Sequence, residues 1–231
     1  EAKGPLKQGY IDTTGILFGL NQDTNLYRSA ANTIKTDDTF IANNVTLAST
    51  GITYATTAQP KRTIVLTSSG AITPASNSPQ QLQTNGTNLS YYTLNYQDTT
   101  PAQNAFWQFI VPDSWAGPAE SGTVTASIYW LTPSTNTGQA VKWFIALNGL
   151  SDAATLDAAL SDGGNVTDSP TGTASQVLVT SEIASITTNW TAGEYAVVRL
   201  KRDAADVADT LAADAKVLML KLEWTAAQET D

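Results

Sequence analysis

Apolar and polar residues alternate along the C-terminal part of the chain, in the pattern typical of half-buried β-strands. Strands with this alternation are predicted at 106–111, 123–131, 141–147, 176–180, 183–186, 195–201 and 217–224. In the last of these, the pattern assigns Leu218, Leu220, Leu222 and Trp224 to the buried face and Val217 to the exposed face. Period-two strands separated by turns predict an antiparallel, jelly-roll-like β-sandwich whose core strands lie between about residues 105 and 224.

The segment before these strands is more polar. We predict a strand at Lys61–Leu66, a long polar connection at Ser68–Asn88, and a second strand at Leu89–Tyr96. The only predicted helix is short, at Ser151–Leu160, because Ser151 is a good N-cap and acidic residues follow it in the first turn. The Asp203–Asp214 segment is expected to be a loop or a single helical turn.

The N-terminal part, up to about residue 53, has a different pattern. Its apolar residues come in ones and twos between long polar spacers, which fits neither a helix stripe nor a long strand. Short strands are predicted at Ile16–Leu20, Asn25–Arg28, Thr33–Lys35, Thr39–Ala42 and Val45–Ala48. Strands this short are marginal in isolation, so they require a partner surface. The sequence therefore predicts an all-β chain in two parts, an attachment and oligomerisation segment at 1–53 and a β-sandwich at 54–231.

Composition narrows the chemistry. The chain of 231 residues contains no Cys and no His. Ser-His-Asp and Cys-His relays and the usual zinc ligand sets therefore have no residues from which to form. We expect no disulfide, no cofactor and no catalytic residue.

Charge and hydrophobicity argue against two classes of partner. The formal net charge is −9, and Lys142 is the only basic residue between Arg62 and Arg199. Nucleic-acid binding needs clustered basic residues to displace counterions, so it is not expected. Membrane insertion is not expected either, because no apolar run approaches the roughly 20 residues of a spanning helix.

Carboxylates are the remaining chemical candidates. Asp98, Asp113 and Asp162 lie in turn-like sequence, where Asp usually stabilises the turn. The segment from Asp162 to Asp168 offers oxygen ligands at short spacing, but it lacks the bidentate Glu of a calcium loop. We therefore expect no metal site, and a carboxylate-dependent glycosidase is the weaker alternative function.

Aromatic residues outside the alternating faces give another alternative. Trp115, Tyr129, Trp190 and Tyr195 lie there, and exposed rings of this kind stack on sugars in some β-sandwiches. Trp115 and Trp190 are the candidate glycan contacts. The competing interpretation is that these rings pack under loops or in subunit contacts.

Several segments resemble structural proteins of tailed bacteriophages. NLYRSAANTIKTDDTFI at 25–41, preceded by GILFG at 15–19, resembles the segment that introduces fibre and spike domains in those proteins. Three other segments resemble the C-terminal sandwich found in many of them: Phe106–Trp115, Thr123–Trp130 and Arg199–Ala215. The resemblance implies a homotrimer and an exposed appendage, either a fibre or a capsid-surface decoration. It carries over no active-site residue.

Together these observations predict a non-enzymatic structural component of a bacteriophage particle. It would be made in the bacterial cytoplasm, form a trimer, contact other virion proteins and lie on the virion surface. The alternative is a carbohydrate-binding module for host adhesion. The residues expected in subunit contacts are Leu26, Tyr27, Ile34, Phe40 and Ile41.

Overall fold

The computed structural model describes two units of the chain separately. It covers residues 9–11, 16–18, 24–30, 33–35, 60–100, 102–115, 123–172 and 175–226. The two compact units are Glu1–Ser49 and Thr50–Asp231. The predicted boundary, at residue 53, lies close to this division.

The described residues of the first unit form an antiparallel sheet of four strands, in the order β1-β2-β3-β4. These strands are β1 (Gly9–Ile11), β2 (Ile16–Phe18), β3 (Thr24–Ala30) and β4 (Thr33–Lys35). Three of the four are only three residues long. The short strands predicted at 16–20, 25–28 and 33–35 correspond to β2, β3 and β4. Those predicted at 39–42 and 45–48 lie outside the described residues.

The second unit contains ten strands and one short 3-10 turn, at Ser68–Gly70. The strands are β5 (Lys61–Thr67), β6 (Gln80–Asn85), β7 (Ser90–Tyr96), β8 (Gln103–Ile110), β9 (Val124–Leu131), β10 (Val141–Leu150), β11 (Gly164–Asp168), β12 (Val179–Ile186), β13 (Tyr195–Arg202) and β14 (Ala215–Thr225).

The pairing of these strands is that of a jelly roll. β10 pairs with β11, β9 with β12, β8 with β13 and β7 with β14, all antiparallel. The chain thus forms a nested series of hairpins, which is wrapped into two sheets. One sheet has the order β8-β13-β10-β11, and the other runs β6-β7-β14-β9-β12, with β5 pairing along the second part of β14. The predicted all-β class and antiparallel sandwich are confirmed.

The core lies between the two sheets and is rich in tryptophan. All six tryptophans are buried, and most of the predicted inward residues are buried with them. Trp143 of one sheet makes edge-to-face contacts with Tyr96 and Trp130 of the other, with ring centroids 5.2 and 6.1 Å apart. Such contacts add directional preference to the area that the rings bury.

One predicted face is wrong at the start of β14. Val217 is fully buried, whereas Leu218 is only partly buried and Met219 is exposed. The cause is a β-bulge between Val217 and Met219 in the pairing with β9. A bulge inserts one extra residue on one strand, so the alternation changes phase at that point.

Three of the described strands were not predicted. β1 precedes the first strand predicted in the N-terminal segment, at 16–20. β6 lies within the predicted polar connection at 68–88, and β11 lies in the predicted turn after Asp162. β6 occupies an edge of its sheet, and nearly all of its residues are exposed. A strand with so little burial has no buried face for a sequence pattern to reveal.

A buried ion pair anchors the loop between β13 and β14. The side chains of Arg202, the last residue of β13, and Asp209 are 0% and 1% exposed. Arg202 donates from Nε and Nη2 to the two carboxylate oxygens of Asp209, each at 2.9 Å. It also donates to three backbone carbonyl oxygens, those of Tyr96, Leu211 and Ala213. The guanidinium group thereby ties the loop to strand β7.

Candidate functional site

The outer face of the β8-β13-β10-β11 sheet carries a concave surface with a mixed polar and apolar lining. Strand registers place Gln108 of β8, Val197 of β13 and Asn148 of β10 side by side. Neighbouring strands are about 4.8 Å apart, so the two amide side chains flank Val197 at a separation of about 10 Å. The next rows of the sheet place Phe106 beside Arg199 on one side and Ile110 beside Tyr195 on the other.

The loop between β10 and β11 closes this surface into a groove. Leu156, Asp157 and Leu160 from the loop line a cavity of about 370 Å³ together with the sheet residues. Ile72 contributes from the opposite side, where it forms an isolated β-bridge with Phe106. The groove is therefore built from three strands and two connections that are distant in the sequence.

The predicted helix at Ser151–Leu160 is wrong, because this segment forms turns. Ala153 has a φ of 64°, in the left-handed region that interrupts a right-handed helix. Almost all of the segment is exposed, so it lacks the buried face that stabilises short helices in proteins. As an irregular loop it instead lies along the sheet, and Leu156 remains 76% exposed.

Asp162 fixes the end of this loop to the sheet. Its two carboxylate oxygens accept from Arg199 Nη2 at 2.5 Å and from Lys201 Nζ at 2.7 Å. Lys201 Nζ also lies 4.2 Å from the ring centroid of Phe144, a cation–π distance. The charge of Arg199 is therefore paired before any ligand arrives.

The polar groups at the centre of the groove are not used by the protein itself. Gln108, Asn148, Tyr195 and Asp157 line the groove. None of their side-chain polar groups makes a hydrogen bond with another described residue. Convergent polar groups in a small, partly apolar cavity are typical of ligand sites.

Trp115 and Trp190, predicted as glycan contacts, lie in the core. They are 5% and 2% exposed, and their rings meet edge to face with centroids 5.6 Å apart. Trp115 Nε1 donates to the carbonyl oxygen of Trp190 at 2.9 Å. Neither indole presents a face on which a sugar could stack, so the prediction of a tryptophan platform is wrong. Both residues follow strand ends, where period-two alternation does not distinguish a ring that folds under a loop from an exposed one.

The predicted carboxylate candidates have structural partners. Asp168 Oδ2 accepts from the Ser181 hydroxyl, which in turn accepts from Trp130 Nε1, both at 2.7 Å. Asp162 is occupied by Arg199 and Lys201. Across the described residues, no group of three or more potential ligands could hold a metal ion. No helix in the described part of the chain is long and apolar enough to cross a membrane.

The predicted subunit-contact residues divide into two groups. Leu26 and Tyr27 lie in β3, and Ile34 lies in β4, where Arg28 is its partner across the pair. Phe40 and Ile41 lie outside the described residues. These five residues stay a prediction for an interface between copies.

Sequence reasoning missed the groove, because its members come from different strands. The available signal was the polar residues at outward positions of otherwise apolar strands, such as Gln108 and Asn148. Which of them become neighbours depends on the pairing of β8, β13 and β10. That pairing follows from the topology and cannot be read along the sequence.

No protein-family model matches the chain, and a comparison with curated protein sequences gives no match. Solved structures give weak similarities. The arabinose-bound MgGH51 α-L-arabinofuranosidase is 10% identical, over 69% of this chain and 24% of that one, with a TM-score of 0.38. The K1 cleaved adhesin domain of Lys-gingipain from Porphyromonas gingivalis W83 is 8% identical, over 74% and 99%, with a TM-score of 0.40.

The isomalto-dextranase of Arthrobacter globiformis T6 complexed with panose is 11% identical, over 71% of this chain and 32% of that one, with a TM-score of 0.29. The chain thus spans about a quarter of the arabinofuranosidase and a third of the isomalto-dextranase. With all three TM-scores below 0.5, we draw no functional conclusion from these proteins.

Proposed function

We propose that this chain is a non-enzymatic structural component of a bacteriophage particle, a homotrimer exposed on the capsid or tail. The observation that supports this most is the separate first unit, in which three of four strands are three residues long. The resemblance of residues 15–41 to the segment that introduces phage fibre and spike domains gives that unit its proposed role. Attachment and trimerisation belong to the first unit, and the sandwich is the exposed part.

The physical reason is the small size of the first unit. Short strands with few apolar residues bury too little surface to offset the entropy of ordering the chain. Three copies would combine their apolar residues around a common axis. Each large apolar side chain that becomes fully buried contributes about 1.5–3 kcal/mol. Folding of the first unit and assembly of the trimer are then one process.

Native mass spectrometry of the full chain tests the trimer. We expect a species of three times the 24.4 kDa chain mass. Leu26→Asp and Ile34→Asp should shift it to the monomer, because each places a charge in the proposed subunit contact. Val207→Asp is the matched control, since Val207 is a 95% exposed apolar residue of the second unit. Retention of the trimer in Leu26→Asp and Ile34→Asp, or a wild-type monomer, would refute the proposed assembly.

The location in the virion requires a separate experiment. Antibody against the purified chain, followed by gold labelling and electron microscopy, should mark the surface of phage particles that encode it. Labelling at a regular capsid or tail position supports the proposal. Particles that contain no copy of the chain by mass spectrometry would overturn it.

A further inference from the structure

The groove on the outer face of the β8-β13-β10-β11 sheet has hydrogen-bonding groups that suit ligand hydroxyls. Gln108 and Asn148 each present an amide that both donates and accepts, and Tyr195 presents a hydroxyl that does the same. Ligand hydroxyls also donate and accept, so they match these groups in either orientation. A purely apolar ligand would instead leave the amides buried without partners, which is unfavourable.

The charges around the groove argue against an anionic ligand. Arg199 and Asp157 contribute one charge of each sign to the lining. Arg199 and Lys201 both bond to Asp162, so neither is an uncommitted cation. Strong recognition of a phosphate or carboxylate uses unpaired cations with charge-assisted hydrogen bonds. The groove does not offer one.

The remaining lining is apolar and narrow. Val197 forms the floor between the two amides, and the Phe106 ring and exposed Leu156 lie at its sides. The volume, about 370 Å³, is near the lower end of the roughly 300–1,000 Å³ found for small-molecule sites. A compact ring with one apolar face and hydroxyls at its edge satisfies the floor and the amides together. We propose that this groove binds a neutral glycan through one or two hexose units.

A glycan array probed with the full-length chain tests the ligand class. The array carries neutral hexose oligosaccharides beside sialylated, uronic-acid-containing and amino-sugar oligosaccharides. We expect signal on neutral members. Calorimetry with the strongest neutral oligosaccharide should then give an affinity that falls about fivefold in Gln108→Ala and in Asn148→Ala, the loss of one hydrogen bond each.

Gln80→Ala is the matched control, because Gln80 is an exposed strand glutamine of the other sheet. It should bind like the wild type. Tryptophan fluorescence checks that each variant is folded, since all six tryptophans are buried in the sandwich. Binding restricted to charged oligosaccharides, no binding to any oligosaccharide, or equal affinity in the groove variants and the wild type would each overturn the proposal.

The glycan site and the proposed virion role can fail separately. Calorimetry reports the affinity per groove, whereas a trimer would raise only the apparent affinity on an array through multivalency. The Leu26→Asp variant should therefore keep the calorimetric affinity whether or not it remains a trimer. A loss of affinity in this folded variant would place the glycan contact outside the groove.

Discussion

The Arg202–Asp209 pair allows a quantitative test of what holds the sandwich to its last loop. The change is Asp209→Asn, which keeps the size of the side chain and removes its charge. In the native protein the carboxylate accepts two hydrogen bonds from Arg202 and one from the backbone N–H of Lys142. An asparagine amide replaces one of these acceptor oxygens with a donor, so at least one buried donor loses its partner.

The expected loss is about 3–5 kcal/mol in the free energy of unfolding, the usual cost of removing one partner from a buried ion pair. Three carbonyl hydrogen bonds to Arg202 remain, and Asp98 Oδ1 lies 3.5 Å from Arg202 Nη2, so the charge is still partly compensated. This favours the lower end of the range. The exposed Asp152 gives a matched control, because its carboxylate accepts only from the next backbone N–H. Asp152→Asn should change stability by less than about 0.5 kcal/mol.

Urea denaturation followed by tryptophan fluorescence measures both variants at one protein concentration, because assembly contributes to apparent stability. The double variant Arg202→Met/Asp209→Asn should lose less unfolding free energy than the two single variants lose in sum. The difference should be about 1–3 kcal/mol. A loss below about 1 kcal/mol in Asp209→Asn would refute the reasoning. It would mean that the carbonyl oxygens and Asp98 are sufficient to hold Arg202 and the loop.

Two further predictions concern pH. Burial raises the pKa of Tyr96 well above its usual 10.0. The folded state therefore keeps a proton that the unfolded chain releases, and stability is lost as pH rises above about 10. Tyr96→Phe should move alkaline unfolding to higher pH, as followed by tryptophan fluorescence; an unchanged transition contradicts this. Hydrogen bonds from Lys61, then Lys221, lower the pKa of Glu223 below its usual 4.5. The stabilising contribution of the Glu223 carboxylate is present above about pH 4.5 and is lost as pH falls through the lowered pKa. Glu223→Gln should therefore reduce the fall in Tm on acidification. An acid profile identical to that of the wild type would contradict this.

The buried arginine illustrates what the sequence pattern could predict. Ala196, Val198 and Leu200 share the buried face of β13, and the same period of two places Arg202 on that face. A charged residue at an inward position is rarely buried without a partner. The pattern therefore predicts that a carboxylate must reach it. It does not identify Asp209 among the four aspartates of the Asp203–Asp214 loop, because the loop path is irregular.

The errors have a common physical origin. Period-two alternation detects a strand only through its buried face, and it therefore missed the polar edge strand β6. It also assumes an unbroken phase, which the bulge after Val217 violates. The predicted helix failed because cap and composition were weighed without a buried face to stabilise it. Each of these three errors occurs where the chain departs from an unbroken alternation of buried and exposed residues.

The same alternation explains why the groove can vary independently of the fold. In β13, Val198 is buried in the core while its neighbour Val197 forms the groove floor. In β10, Trp143 belongs to the core, whereas Asn148 points to the opposite side of the sheet. Since stability depends mainly on the inward set, substitutions at Gln108 and Asn148 should leave unfolding nearly unchanged. A change in ligand affinity in those variants can then be attributed to the groove itself and not to loss of the sandwich.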